Sequence, residues 1–262
     1  MQKTHYLVLF SSFLLLLTMY IGCETKAASV KEIAKTRSLI VENTTREVLE
    51  MYAKKELASA DLLILENLNK DLERNADLNK KAEIARKLSA QWYDLGHPAV
   101  AGAYAEMVAE WFPSAEAWSI AGTTFGQAIP EKENEKVRAF AASHAITAFE
   151  NAVSLAPDDW SNKLNLALVL TEVPPQDNPM KGVKMLLELN STYPENARIL
   201  FHLGRLAIQT GQFEKAVERL EKSLNIDDAQ PQIYCLLERA YRETSKSELA
   251  KLASEKCRNS IK

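Results

Sequence analysis

Apolar residues recur along most of this chain at intervals of three and four positions, the spacing of one face of an α-helix. The clearest example is residues 197–228, where two such stretches flank a turn at Gly211. Leu200 and Leu203 mark the apolar face of the first stretch, and Leu220 marks that of the second. The pattern predicts two amphipathic helices joined by a tight turn, each with one face to bury.

Small residues stand where these two helices would pack closely, at Gly204 and Ala216, and Phe213 and Leu224 complete the contact surface. The spacing resembles the tetratricopeptide repeat, a helix–turn–helix unit of about 34 residues that stacks because one unit cannot bury its apolar face alone. The resemblance implies an all-α fold, a right-handed α-solenoid of stacked units, and a role in holding other proteins.

The same pattern can be followed from residue 82 to residue 262. Trp118, Ala121, Gly122 and Phe125 repeat the aromatic–small–small–aromatic order of the family's first helix. The predicted units are 82–114, 115–159, 160–196, 197–230 and 231–262. The second unit is about 11 residues too long for a 34-residue repeat, and the insertion falls at roughly 129–140. We expect it to extend either the loop between the two helices or one of the helices.

Residues 30–80 show helical periodicity without the repeat pattern. One helix is predicted over Val30–Lys54, and a second is predicted to run to about Arg74 with Ser59 or Asp61 at its N-cap. A stacked solenoid has an apolar end that must be covered. We therefore interpret this pair as an N-terminal helical hairpin that caps the stack.

The first 22 residues do not belong to the fold. Lys3 precedes the uncharged apolar run Tyr6–Ile21, which is shorter than the roughly 20 residues that a spanning helix needs. Residues 1–22 are therefore predicted to be a signal peptide.

Gly22 before Cys23 resembles the bacterial lipobox, although Tyr20 stands where that family usually has leucine. This resemblance implies cleavage ahead of Cys23, lipid on its thiol, a polar tether over residues 23–29 and attachment to a membrane. An uncleaved N-terminal anchor and a simple secreted protein are the alternatives.

Composition narrows the classes of function. The chain is 47% hydrophobic and 26% charged, with only 8 Gly and 9 Pro, as expected for a folded helical protein. Its formal net charge of −3 gives no reason to expect nucleic-acid binding. His97, His144 and His202 fall in different repeats without a second ligand at metal-binding spacing, and no nucleophile elbow or phosphate loop is present. We expect no metal, no cofactor and no enzymatic activity.

Two cysteines remain after Cys23. In the register of the resemblance, Cys235 lies on the first helix of the last unit and Cys257 on the second. They form a disulfide in an oxidising compartment, or they are two ordinary small core residues.

The family lines its concave surface with the outward positions of each first helix and commonly binds an extended peptide or a partner helix there. The resemblance places a basic, partly apolar patch on the C-terminal half of this surface, which favours acidic or C-terminal carboxylate partners. The alternative is that these arginines pair with Glu172, Glu238 or Glu243 on neighbouring turns. The implied positions are Leu164, Asn165, Leu168, Arg198, Phe201, His202, Arg205, Gln209, Gln232, Arg239 and Arg242.

Together the two resemblances imply a lipid-anchored scaffold that mediates protein–protein interactions in a bacterial cell envelope, facing the periplasm or the outer surface. Its partners are expected to be other envelope proteins. A solute-capture component is the alternative, one that partners a periplasmic binding protein or holds a small apolar ligand in the groove.

Overall fold

The computed structural model describes residues 44–130, 134–228 and 231–260. The predicted signal peptide, the tether with Cys23, and residues 30–43 of the predicted cap lie outside these ranges. Every helix below belongs to one compact unit, Thr45–Lys262.

The described residues form twelve α-helices and no strand. They are α1 Arg46–Ala53, α2 Ser59–Arg74, α3 Leu78–Asp94, α4 Pro98–Trp111, α5 Ala115–Gly126, α6 Glu135–Leu155, α7 Trp160–Glu172, α8 Lys181–Thr192, α9 Ala197–Gln209, α10 Phe213–Ile226, α11 Gln232–Glu243 and α12 Ser247–Ser260.

Ten of these helices pack as consecutive hairpins, α3 with α4, α5 with α6, α7 with α8, α9 with α10 and α11 with α12. The second helix of each hairpin also contacts the first helix of the next hairpin. Each unit therefore covers the apolar face that its neighbour leaves open, which is how repeat proteins build a continuous core. The predicted all-α stack of helical hairpins is confirmed.

Three of the hairpins turn with the same backbone geometry. Gly96 and Gly211 have φ values of 81° and 72°, a left-handed conformation that glycine adopts without a Cβ clash. Ser245 occupies the same place after α11 with φ 60°. In each turn the next N–H donates back to a carbonyl in the last turn of the preceding helix, as from His97 N to Trp92 O at 2.9 Å.

Close approach of the paired helices explains the small residues in the repeat. A Cβ on Gly204 would lie 2.6 Å from Leu220 Cγ, and Leu220 is completely buried. Ser89 stands where the family usually has glycine or alanine. Its Oγ donates to the Ala101 carbonyl at 2.9 Å, which satisfies a hydroxyl at this tight contact.

A polar network holds α1 and α2 against α4. The Tyr104 hydroxyl donates to Glu50 Oε1 at 2.7 Å, and its oxygen lies 2.9 Å from Asn69 Oδ1. Arg46 and Lys54 pair with the Glu50 carboxylate at 3.4 and 3.1 Å. Burial and the neighbouring carboxylate raise the pKa of Tyr104, so its hydroxyl stays a donor. The interpretation of this segment as a cap for the stack stays a prediction.

The N-terminal part of the chain differs from the expectation in two details. The described part of the helix predicted over Val30–Lys54 is helical over Arg46–Ala53 but not continuous before it, because Thr45 is extended and its Oγ1 accepts from Val48 N as the N-cap of α1. Neither Ser59 nor Asp61 caps α2. The N-cap residue is Ala58, which has no side-chain acceptor to offer.

The insertion in the second unit lengthens a helix. α6 has 21 residues and begins at Glu135, which follows the undescribed residues 131–133. Arg138 fixes the position of the first turns of α6. Its Nε donates to the Ile129 carbonyl at 3.2 Å, and its Nη2 donates to the Glu172 carbonyl at 3.0 Å. The inserted segment thereby joins the second hairpin to the end of α7.

Within the ranges described above, no helix combines the length and the apolar character needed to cross a bilayer.

Candidate partner-binding grooves

The first helices of the five hairpins are α3, α5, α7, α9 and α11, and two grooves open between the N-terminal three. The larger, which we call the apolar groove, is lined by α3, α4 and α5 and has a volume of about 590 Å³. Large apolar side chains line it while keeping much of their surface in water. Tyr93 is 49% exposed, Phe112 37% and Ile120 54%.

The hollow results from side-chain size. Ala90 on α3 and Ala117 on α5 line the groove with single methyl groups, so the space between the two helices is left open. The bottom of the groove is closed by Val108, which is buried on α4. One cation, Arg86, and two carboxylates, Asp94 and Glu116, also line this groove.

The second groove, which we call the polar groove, lies between α5 and α7 with a volume of about 450 Å³. Hydroxyl and carboxyl side chains dominate its lining. It shares three residues of α5 with the apolar groove: Glu116, Ile120 and Thr124. The other polar side chains that line it are Ser119, Thr123, Asp159 and Asn162.

Asp159 organises the α7 side of the polar groove. As the N-cap of α7, its Oδ1 accepts from Ser161 N at 2.8 Å, and its Oδ2 accepts from Asn162 Nδ2 at 2.9 Å. This second bond fixes which end of the Asn162 amide carries the oxygen. Asn162 is only 2% exposed, and among the described residues its Oδ1 has no hydrogen-bond partner.

The four arginines of the basic patch predicted at the C-terminal half are exposed on α9 and α11. Arg242 pairs with Glu238 on its own helix, as the alternative interpretation expected. Arg198 lies over the Trp160 ring at 5.7 Å. Arg205 and Arg239 have no ion pair within the part of the chain that the structure describes. Two of the four charges are therefore available to a partner.

Phe201 and His202 lie between these arginines on α9. Their rings meet edge to face with centroids 5.1 Å apart. Burial, assisted by Arg205 and Arg198, lowers the pKa of His202 to about 4. His202 is therefore neutral at pH 7 and adds no charge to the patch.

The α7 contribution to the predicted surface needs correction. Leu164 is completely buried in a cluster formed by α7, α8 and α9, so its assignment to the groove is wrong. Asn165 and Leu168 on the same helix are half-buried, and Gln209 and Gln232 are exposed. The exposed face of α7 is consequently smaller than the repeat register implied.

Sequence reasoning missed the N-terminal grooves. The one sign of these grooves in the sequence is a large apolar residue that lies outside the buried face of its helix. Ile120 lies between the inward residues Trp118 and Ala121, and Tyr93 directly follows the buried Trp92. Such off-stripe residues indicate a binding surface only when neighbouring helices bring several together.

A disulfide joins Cys235 on α11 to Cys257 on α12. Of the two alternatives left open by the sequence, the structure has the paired form. The bond connects the two helices of the last hairpin.

Comparison with known proteins supports the repeat assignment. A family model of the tetratricopeptide repeat matches residues 183–240, and no curated protein sequence matches significantly. Among solved structures, Pseudomonas aeruginosa PilF matches 70% of this chain and 77% of its own, with 18% identity and a TM-score of 0.51. MamA from Desulfovibrio magneticus RS-1 matches 69% and 93% respectively, with 18% identity and a TM-score of 0.45. Likeness at this identity concerns the fold alone.

Proposed function

We propose that this chain, whose residues 183–240 match a family model of the tetratricopeptide repeat, is a non-enzymatic scaffold that binds a segment of another protein across its first helices. The observation that carries the proposal is the apolar groove. Tyr93, Phe112 and Ile120 come from three different helices and meet around one hollow with much of their surface exposed. Covering this apolar surface with a ligand removes it from water, which favours association.

The form of the groove favours a peptide or a helix as the ligand. The apolar groove and the polar groove share α5, so a bound segment can lie across that helix and contact both. Repeat proteins offer such extended concave surfaces because each repeat contributes the same helix positions.

We also propose that the protein works in a bacterial envelope as a lipoprotein anchored through Cys23, with other envelope proteins as partners. The apolar run before Cys23 supports this location. The Cys235–Cys257 disulfide supports it independently, since such bonds persist in oxidising compartments. Mass spectrometry of the N-terminal peptide tests the anchor. We expect a lipid-modified Cys23 in the native chain and retention of the unprocessed N-terminus in Cys23→Ala.

Site-specific cross-linking in cells tests the scaffold proposal. A photoreactive residue at Ile120 should form discrete adducts with one or a few envelope proteins. The matched control is the same residue at Glu218, an exposed position on α10 away from both grooves. Adducts at Glu218 alone, or equal adducts at both positions, would refute binding at the groove.

A small apolar ligand is the second candidate for the same groove. The volume of about 590 Å³ falls within the range of roughly 300–1,000 Å³ that small-molecule sites occupy. Native mass spectrometry of the purified chain distinguishes the two. A copurifying small molecule that is lost in Ile120→Asp favours solute capture, and a ligand-free chain favours the scaffold.

A further inference from the structure

We propose that the partner segment carries a lysine or arginine that enters the polar groove, together with a bulky apolar side chain that enters the apolar groove. The two side chains stand three to four residues apart in an extended segment. This inference rests on the proposed scaffold function and specifies the partner's chemistry at the N-terminal half.

Charge supplies the first argument. The polar groove is lined by the carboxylates of Glu116 and Asp159 and by hydroxyl groups, and neither lysine nor arginine lines it. In the apolar groove the single cation, Arg86, faces the two carboxylates of Asp94 and Glu116. Among the side chains that line the two grooves, carboxylates therefore outnumber the one arginine, and this favours a cation over a carboxylate as the ligand.

Asn162 supplies the second argument. Its side chain lines the polar groove, is 2% exposed, and has an Oδ1 without a partner among the described residues. Buried polar atoms are nearly always hydrogen-bonded, and an unsatisfied one is destabilising. The amide cannot satisfy the oxygen by turning over, because Nδ2 already donates to Asp159. The Asn162 Oδ1 therefore lacks a hydrogen-bond donor, and an ammonium or guanidinium group carries several.

Apolar complementarity supplies the third argument. Ile120 and Glu116 lie on the same helix and line both grooves, so α5 forms the ridge between the two pockets. A bulky side chain in the apolar groove would cover the exposed faces of Tyr93 and Ile120. The ligand thus needs one apolar anchor and one cationic anchor on opposite sides of a single helix.

The width of α5 sets the spacing of the anchors. An α-helix with its side chains is about 10–12 Å across. An extended chain advances about 3.3–3.6 Å per residue. A segment that crosses α5 therefore places its two anchors three to four residues apart.

Selection of peptides on the full chain tests the inference. A random-peptide display library should yield sequences with a bulky apolar residue three or four positions from lysine or arginine. A synthetic peptide of the selected sequence is then compared, by fluorescence anisotropy, with a twin in which glutamate replaces the basic residue. We expect the basic peptide to bind about tenfold more tightly than its twin, which corresponds to one strong charge contact.

Variants of the protein locate the contact. Glu116→Lys should remove the preference for the basic peptide, and Glu218→Lys makes the same charge change on α10 and should preserve it. Asn162→Leu should weaken the basic peptide while leaving the acidic twin unaffected. Equal binding of the two peptides, or a preference that survives Glu116→Lys, would overturn the inference. If cross-linking at Ile120 still captures a partner in that case, the scaffold proposal stands and only the partner's chemistry is wrong.

Discussion

The two halves of the first-helix surface occupy equivalent positions in the repeat but have different physical character. On α3 and α5 the outward positions surround a hollow, whereas on α9 and α11 they present exposed arginines. The hollow exists because Ala90 and Ala117 are small, and the patch is filled because Phe201 and His202 are bulky and half-buried. Repeat register thus determines which positions face outward, and side-chain volume on neighbouring helices determines whether they make a pocket.

The halves are also stabilised by different means. Below the grooves the core contains the buried aromatic rings of Trp92, Phe125 and Phe149. Below the patch it is mainly aliphatic, and a covalent bond joins the last two helices. Changes that affect one half should therefore leave the other largely intact, since repeats interact chiefly with their neighbours.

The largest loss of stability is expected for Phe125→Ala. Phe125 is completely buried on α5, its ring lies 5.9 Å from that of Phe140, and a Cβ on Gly102 would meet it at 2.5 Å. Truncating a buried phenylalanine costs about 3–5 kcal/mol. Urea unfolding monitored by circular dichroism should show this loss, and peptide binding at the grooves should fall with it.

Leu220→Ala is the matched change in the other half. Leu220 is equally buried on α10, and we expect its truncation to cost about 2–5 kcal/mol. Groove binding should survive this substitution at temperatures where the chain is folded. If Leu220→Ala abolishes groove binding as fully as Phe125→Ala does, the two halves are not independent.

Removal of the disulfide should produce the next largest effect. The bond closes a sequence separation of 22 residues, and a loop of that size stabilises the folded state by about 3 kcal/mol. Cys235→Ala with Cys257→Ala should increase amide hydrogen exchange in α11 and α12. Exchange in α3 and α5 should not change, and faster exchange there would contradict local stabilisation.

Acidification should weaken the C-terminal half through His202. Its pKa is about 4 in the folded chain, against about 6.5 when unfolded, so between these values the unfolded state binds the proton and the folded state does not. Stability is therefore complete above pH 6.5 and decreases as the pH falls towards 4. Between pH 7 and pH 5 the loss is about 2 kcal/mol.

His202→Gln removes this ionisation and should flatten the pH dependence of unfolding. His97 provides the comparison in the N-terminal half, since burial lowers its pKa as well while the Glu56 carboxylate opposes that shift. His97→Gln should have the smaller effect on the pH profile. If the pH dependence of unfolding is unchanged in His202→Gln, the buried imidazole is not the cause of the loss of stability in acid.

These regions also show what sequence can and cannot predict. Helical periodicity correctly placed Leu203 and Leu220 in the core, because the period of one helix determines its buried face. It misplaced Leu164, which the register turned outward but which α8 and α9 cover. It missed the pocket at Ile120, because a hollow depends on the distance between two helices and on residues far apart in sequence. The unpartnered Asn162 oxygen is likewise a property of three-dimensional packing.

The smallest effect on stability is expected for Arg205→Glu combined with Arg239→Glu. Both side chains are exposed and have no ion pair within the described part of the chain, so the unfolding free energy should change by less than about 0.5 kcal/mol. Binding is the sensitive measurement. An acidic peptide should bind more weakly, and its affinity should no longer depend on ionic strength, because the charges that attract it have been reversed.

Arg242→Glu is a suitable comparison, since Arg242 already pairs with Glu238 and contributes less free charge. The peptide selected for the N-terminal grooves should bind both variants as it binds the native chain. Weaker binding of that peptide to the variants would mean that the patch and the grooves contact the same end of the partner. Loss of binding of the acidic peptide alone would mean that the patch and the grooves recognise segments of opposite charge.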